Sequence, residues 1–293
     1  MGISQVSHAE LAVGDLEEAV GLHVDVLGMK ELGRSDGSVR LTAGVDERCD
    51  LVLTSGGTGV RRFALRVDSH DDLEHYGKRL ANAGVEHSTR SDEDPGVSQS
   101  LQFRTPTGHV MELSLLTDAE GPQYIHPARA AHRGGIRALD FDHITLQAQD
   151  PKPLVEFMVD ILDFQISDIF APAPGVMGAA WLRASDLHHD VAIISTPEPG
   201  KSLHHYALGM ESFDHLKVAA DELARHGVPI ETGPGRHGVG ANLYTYFWVA
   251  GNRYELSAEM PRVRPGAPGM WDNFPKAFSP WGLTPPESFG HAS

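Results

Sequence analysis

The chain repeats itself, and that repetition limits what it can fold into more than any other feature of its 293 residues. Four stretches share one order: a strand, an amphipathic helix, then further strands. The first runs from about Ile3 to Ser55. There "ISQVSHAELAV" alternates as a strand, and Leu16, Ala19, Val20, Val24 and Leu27 recur at helical spacing in "DLEEAVGLHVDVLG". The third, from about Ile136 to Pro197, pairs "LDFDHITLQAQ" with a helix whose apolar face is Leu154, Phe157, Met158, Ile161 and Leu162. Asp15 and Asp150 stand where helix N-caps belong, with Pro151 in a first turn. The second and fourth stretches, "RRFALRVDSHDDLEHYGKRLANAGV" and "LHHYALGMESFDHLKVAADELARHGV", match each other, and both close on Gly-Val at Gly84 and Gly227. The expected fold is therefore α+β: four βαβββ modules paired into two half-barrel domains. The boundaries are an N-terminal domain over 1–117, a Gly-, Pro- and charge-rich linker over 118–135, a C-terminal domain over 136–260 and a Pro/Gly-rich tail over 261–293.

Composition removes several function classes. Twenty-four Lys and Arg against forty Asp and Glu give a formal charge of −16, so the chain lacks the positive field that neutralises phosphates, and nucleic acid is not an expected partner. No apolar run reaches the ~18 residues of a membrane span, and no basic segment followed by an apolar one marks the N-terminus. Cys49 is the sole cysteine, which excludes an internal disulfide and a cysteine-rich zinc site and makes the cytoplasm the expected compartment.

One motif suggests a nucleotide. "GPGRHG", residues 233–238, has the spacing of a dinucleotide-binding loop. Such a loop needs a helix directly after it, its N-terminus facing the pyrophosphate. Here "VGANLYTYFWV" follows and reads as a strand.

The repeat exposes a different centre. His143 in "FDHITL", His205 in "LHHYAL" and Glu255 in "GNRYELS" sit on three expected strands. Two neutral imidazoles and one carboxylate form the facial set that holds non-haem Fe(II) and leaves positions open. By strand alternation, Phe141, His143 and Thr145 share a face, while His204 points away from His205. The first half carries a broken copy. His8 matches His143, Glu112 matches Glu255, and Arg62 matches His205; fifty residues separate Arg62 from Glu112 and His205 from Glu255. Arginine has no lone pair to offer, so one metal per chain is expected, in the C-terminal domain.

At these residues, and over nearly the whole chain, the sequence resembles the type I extradiol ring-cleaving dioxygenases, the catechol 2,3-dioxygenase-like branch of the vicinal oxygen chelate superfamily. The resemblance implies the metal ligands His143, His205 and Glu255. It places an active-site acid/base at His189 in "HDVAI", expected on a strand with His188 facing the other way. It places a second active-site histidine at His237 in "GPGRHG", whose glycines then shape a tight loop, and an aromatic pocket wall at Trp181. The active-site tyrosine maps to Tyr246, with Tyr244 on the same strand face as the alternative. The family's usual Asp-Pro before the ligand Glu is missing from "YFWVAGNRYE". The implied cofactor is Fe(II), with Mn(II) compatible, and O₂ is the co-substrate. The implied partner is a small aromatic diol, and the implied assembly a homo-oligomer. A divalent metal with one carboxylate carries +1, which a catechol monoanion neutralises in a dry pocket. Arg262 and Arg264 are candidates for pairing with an acidic ring substituent. The alternatives are a glyoxalase-like isomerase, a 4-hydroxyphenylpyruvate dioxygenase-like protein and a non-catalytic small-molecule-binding protein of the bleomycin-resistance type.

Overall fold

A computed structural model of the chain describes residues 2–44, 48–91, 94–117, 134–200, 202–291 and 293. Most of the expected linker, 118–133, lies outside the described residues. In chain order the first half comprises β1 (Ile3–Val13), α1 (Leu16–Asp25), β2 (Lys30–Ser35), β3 (Ser38–Thr42), β4 (Leu51–Ser55), β5 (Val60–Val67), α2 (His70–Asn82), β6 (His87–Ser91), β7 (Val97–Arg104) and β8 (Val110–Leu116). The second half repeats it: β9 (Phe141–Ala148), α3 (Lys152–Leu162), β10 (Gln165–Phe170), β11 (Ala179–Arg183), β12 (Val191–Ser195), β13 (Leu203–Met210), α4 (Phe213–Arg225), β14 (Ile230–Arg236), β15 (Leu243–Val249) and β16 (Asn252–Ala258).

Each half forms one mixed sheet, and the strand orders correspond. The first is β2-β3-β4-β1-β5-β8-β7-β6; the second is β10-β11-β12-β9-β13-β16-β15-β14, with a further strand, β17 (Gly269–Trp271), beside β10. Within each module the first strand pairs parallel with the last, and the first strands of paired modules run antiparallel down the centre of the sheet. These are the four βαβββ modules. Among the described residues no helix is long and apolar enough to cross a membrane.

Local chemistry accounts for most helix ends. Asp15 accepts from the Glu18 amide at 3.0 Å and caps α1, while Ser69 and Ser212 cap α2 and α4. Gly84 and Gly227 have φ of +70° and +69°, the left-handed geometry that ends a helix. At α3 the expectation is off by one residue. Pro151 occupies the cap position, and Asp150 instead accepts from the Lys152 amide at 3.0 Å.

The tail does more than its composition announces. β17, a short helix α5 (Phe274–Phe278) and a 3₁₀ turn (Glu287–Gly290) lay it over the second sheet. Ser293 then exchanges backbone hydrogen bonds with Leu203 at the start of β13.

A continuous apolar core joins the two sheets, and polar contacts pin it. Asn252 accepts from the Gly59 amide and donates to the Ala12 carbonyl, both at 2.8 Å. On α1, Val24 faces solvent and His23 occupies the buried stripe instead. Its Nδ1 donates to the Ala19 carbonyl at 2.6 Å, and its Nε2 accepts from the Tyr254 hydroxyl of the other half at 2.5 Å. Both bonds suit a neutral ring, and burial pulls its pKa from 6.5 down to about 4. The unfolded chain therefore takes up a proton near pH 6.5 that the folded chain refuses until about pH 4. Stability is full above the first value and is lost as pH falls toward the second. Between about pH 7.5 and pH 5, urea unfolding should show wild type losing roughly 2 kcal/mol more than His23→Gln. Equal losses would show that His23 is not the group responsible.

Candidate metal centre and active site

Strand register brings the three expected ligands together. Ala207 on β13 pairs with His143 on β9 to one side and with Glu255 on β16 to the other. His205 lies two residues along β13, opposite Thr145. The His143 and His205 Nε2 atoms are 3.2 Å apart, and Glu255 Oε2 lies 3.0 Å from His205 Nε2 and 3.4 Å from His143 Nε2. All three side chains are buried. Ligands at right angles around a metal, each about 2.1 Å from it, stand about 3.0 Å apart. The donor set therefore fits a facial divalent-metal site.

The ligands are oriented from behind. His143 Nδ1 donates to Asp142 Oδ2 at 2.6 Å, which leaves Nε2 free to ligate. His205 Nδ1 is 2.6 Å from His204 Nδ1, and His204 Nε2 is 3.0 Å from the Phe289 carbonyl. A carbonyl only accepts, so His204 carries its proton on Nε2. Burial holds His204 well below the usual imidazole pKa and thus neutral. Its Nδ1 lone pair therefore accepts the His205 Nδ1–H, and the His205 Nε2 lone pair faces the centre. The expectation that His204 points away fails because β13 is bulged between Leu203 and His205, which breaks the two-residue alternation. His204 lines the same cavity. A second bulge does the same to Phe141. It stacks on Tyr206 at 4.3 Å in the core instead of sharing the face of His143 and Thr145.

Charge at the centre is mutual. Burial opposes a proton on His143, but the Glu255 and Asp142 carboxylates outweigh it and raise its pKa to about 9. Burial draws His205 down to about 4. Burial also opposes the Glu255 charge, yet the two imidazoles hold its carboxyl well below the usual range. A metal cation at this centre displaces that proton.

A cavity of about 200 Å³ opens beside the triad. Trp181, His189, His237 and Tyr246 all line it with the three ligands. Tyr246, not Tyr244, reaches the centre: its hydroxyl donates to Glu255 Oε2 at 2.6 Å and lies 3.0 Å from His237 Nε2. Tyr244 stacks on the His237 ring at 4.1 Å. His237 Nδ1 donates to the Phe278 carbonyl at 2.9 Å. The glycine-rich motif is mostly strand, not loop. Its first four residues end β14, and His237 follows at the strand's tip. Gly238 admits the α5 backbone, since a Cβ there would overlap the Lys276 carbonyl. No helix follows, so the phosphate-cradling geometry is missing.

His189 precedes β12 instead of lying on it. Its ring meets His143 edge-on at 4.3 Å, and burial keeps its pKa well below the usual value, with the neighbouring imidazoles adding to the effect. His188 does not face outward either. It is buried, and its Nδ1 lies 2.9 Å from His189 Nδ1. Residues that motif reasoning did not reach also shape the site. Asn242 donates to Glu255 Oε1 at 3.1 Å, Thr145 Oγ1 lies 2.8 Å from His205 Nε2, and Phe274, Phe278 and Phe289 of the tail wall the cavity. Thr145 follows from the strand alternation that placed it beside His143, whereas nothing in the local sequence marks Asn242 or the tail phenylalanines, which come from distant elements.

In the first half, His8, Asp94 and Glu112 are also close enough to hold a metal. The Arg62 guanidinium fills that place. Its Nη1 lies 3.3 Å from His8 Nε2 and 3.1 Å from both Glu112 oxygens, Nη2 meets Asp94 at 2.7 Å, and Nε meets Glu10 at 2.6 Å. Purified protein should accordingly bind one divalent metal per chain. His143→Ala and Glu255→Ala should abolish it, and His8→Ala should not. Metal analysis giving two equivalents, or metal lost in His8→Ala alone, would overturn this assignment.

Comparison with known proteins agrees with this architecture. A family model of the Glyoxalase/Bleomycin resistance protein/Dioxygenase superfamily matches residues 5–113 and 140–256. A metapyrocatechase of Pseudomonas sp. (strain CF600) is 31% identical over 265 residues, spanning 87% of this chain and 86% of its own. A manganese-dependent 2,3-dihydroxybiphenyl 1,2-dioxygenase of Geobacillus genomosp. 3 is 26% identical, spanning 87% and 84%. The crystal structure of the 2,3-dioxygenase LapB from Pseudomonas sp. KL28 superposes with a TM-score of 0.83 at 26% identity, covering 92% of this chain and 98% of that one. A doubled βαβββ sheet, relatives of this kind along most of its length and a divalent-metal donor set in its second half make this chain a member of the glyoxalase/bleomycin resistance protein/dioxygenase superfamily, in its extradiol dioxygenase branch.

Proposed function

We propose that the chain opens the ring of a catechol beside its two hydroxyls, using O₂ at Fe(II) held by His143, His205 and Glu255, to give a ring-opened semialdehyde or keto acid. Mn(II) suits the same donors, and a relative of this chain is named manganese-dependent. One observation carries the reading. A buried two-histidine, one-carboxylate set opens into an aromatic-walled cavity that His189, His237 and Tyr246 also line. When bound, the metal supplies a Lewis acid that both catechol oxygens can chelate and a position for dioxygen.

The protein's own groups do the rest. His189, kept neutral by burial, can take a hydroxyl proton and return it later in the cycle. Tyr246 is held as a neutral phenol, because burial and then the Glu255 carboxylate push its pKa well up; it serves as a hydrogen-bond donor. His237, drawn below its usual pKa by burial, donates from Nδ1 to the Phe278 carbonyl, so its Nε2 carries a lone pair; with the Tyr246 proton given to Glu255, that lone pair accepts from a diol hydroxyl. Trp181, Phe170, Phe274 and Ile194 wall the cavity and exclude water. Cytoplasmic location and homo-oligomeric assembly complete the proposal.

The cavity also selects the substituent. Among the described residues no Lys or Arg lines it. Arg262 pairs with Asp186 at the surface, and Arg264 is exposed. A carboxylate on the ring would be buried unpaired at a cost of several kcal/mol. Alkyl- and aryl-substituted catechols are the expected substrates. Oxygen uptake across a catechol panel should give a kcat/KM at least about a hundredfold lower for carboxylate-bearing catechols. No uptake with any catechol by metal-loaded protein would remove the dioxygenase reading. In His189→Phe the metal should stay bound and turnover should fall about 10²–10⁴-fold. Near-normal ring opening would take His189 out of the mechanism, and loss of metal would make it a ligand.

A further inference from the structure

A buried chain of hydrogen bonds stands behind His189. His188 Nε2 lies 2.7 Å from Asp168 Oδ2 on β10, and His188 Nδ1 lies 2.9 Å from His189 Nδ1. All three side chains are withdrawn from solvent: Asp168 is 13% exposed, His188 7%, and His189 is buried as a residue. Two glycines make room for the pair. A Cβ on Gly240 would come within 2.8 Å of His188 Nδ1, and one on Gly269 in β17 would overlap Asp168 Oδ1. The His188 backbone is itself anchored, its amide donating to the Pro261 carbonyl at 2.8 Å.

Hydrogen-bond capacity gives this chain a direction. A carboxylate only accepts, so His188 must carry a proton on Nε2. In neutral His188 the Nδ1 is then a lone pair, and the proton between the two rings belongs to His189 Nδ1. His189 lines the cavity, and the nitrogen left outside the contact with His188 is Nε2, which then carries the lone pair. We infer that Asp168 and His188 are positioning residues that hold His189 as the Nδ1–H tautomer, so that Nε2 is ready to accept the catechol hydroxyl proton. When that proton arrives, the Nδ1–H of the imidazolium still points at His188, whose Nε2–H still rests on Asp168. The same bonds thus hold both charge states. His204 and the Phe289 carbonyl do the equivalent work for His205, so each first residue of the two His-His dipeptides orients the second.

The inference rests on the proposed role of His189, and its test separates the two. Nitrogen-15 NMR of histidine-labelled, Zn(II)-loaded protein reads the tautomer directly, with the His189 resonances assigned by their loss in His189→Phe. Wild type should show a protonated Nδ1 and an unprotonated Nε2. Asp168→Leu and His188→Phe should show a mixture of tautomers or the reverse one. Asp168→Asn should retain the native tautomer, since its amide oxygen can still accept from His188. In the iron-loaded enzyme, Asp168→Leu and His188→Phe should lower kcat tenfold or more, by about the 10–100-fold typical of groups that orient active residues. Metal content and the KM for catechol should hold, and Asp168→Asn should recover most of the rate. An Nε2–H tautomer in wild type would overturn the inference, as would an unchanged tautomer and unchanged kcat in both disruptive variants. The native tautomer in a protein that cleaves no catechol would leave this geometry standing and remove the activity instead.

Discussion

Two imidazoles and a carboxylate packed within 3.4 Å of one another, out of water, form an arrangement that needs a cation. Much of the molecule follows from how each half meets that need. The two halves share a sheet order, and their central strands bring the same kinds of residue to the same place. In the first half the cation is Arg62, whose three nitrogens are spread over Glu10, Asp94, Glu112 and His8. A guanidinium of this kind is permanently charged and its geometry is filled, so the site is structural. In the second half His205 stands where Arg62 stands. Among the described residues no Lys or Arg lines the cavity there, and a divalent metal is the charge that matches the donors.

The correspondence extends past the ligands. Asp94 lies thirty-two residues beyond Arg62, as His237 lies thirty-two beyond His205. Gln102 donates to Glu112 at 2.6 Å, from the strand position that Tyr246 uses to donate to Glu255 at the same distance. An amide and a carboxylate that serve an arginine are thus replaced by a phenol and an imidazole that border an open cavity. The same scaffold yields a plugged centre and an accessible one through a handful of side chains.

The tail decides which end of the second sheet becomes a pocket. α5 and the 3₁₀ turn bring Phe274, Phe278 and Phe289 over the strands, and the Phe278 and Phe289 carbonyls orient His237 and His204. A segment whose composition suggests a loose end therefore supplies both the apolar wall and two of the acceptors that set histidine tautomers. β17 adds the glycine that lies against Asp168.

Internal repetition and periodicity determined the α+β architecture, the pairing of modules and the residues that could meet as ligands, because hydrophobic spacing and residue identity at matching positions are local properties. Tyr246 over Tyr244, the buried His23 in place of Val24, and the inward turns of His188 and His204 were decided only by the tertiary structure. A bulge is a register event between two strands, so no single strand's sequence announces it, and one extra residue reverses the face of its neighbours. Asp168, Asn242 and the tail carbonyls were equally hidden. Each acts across more than ten residues of sequence, and hydrogen-bond partnership at that range is a property of how the strands are laid side by side.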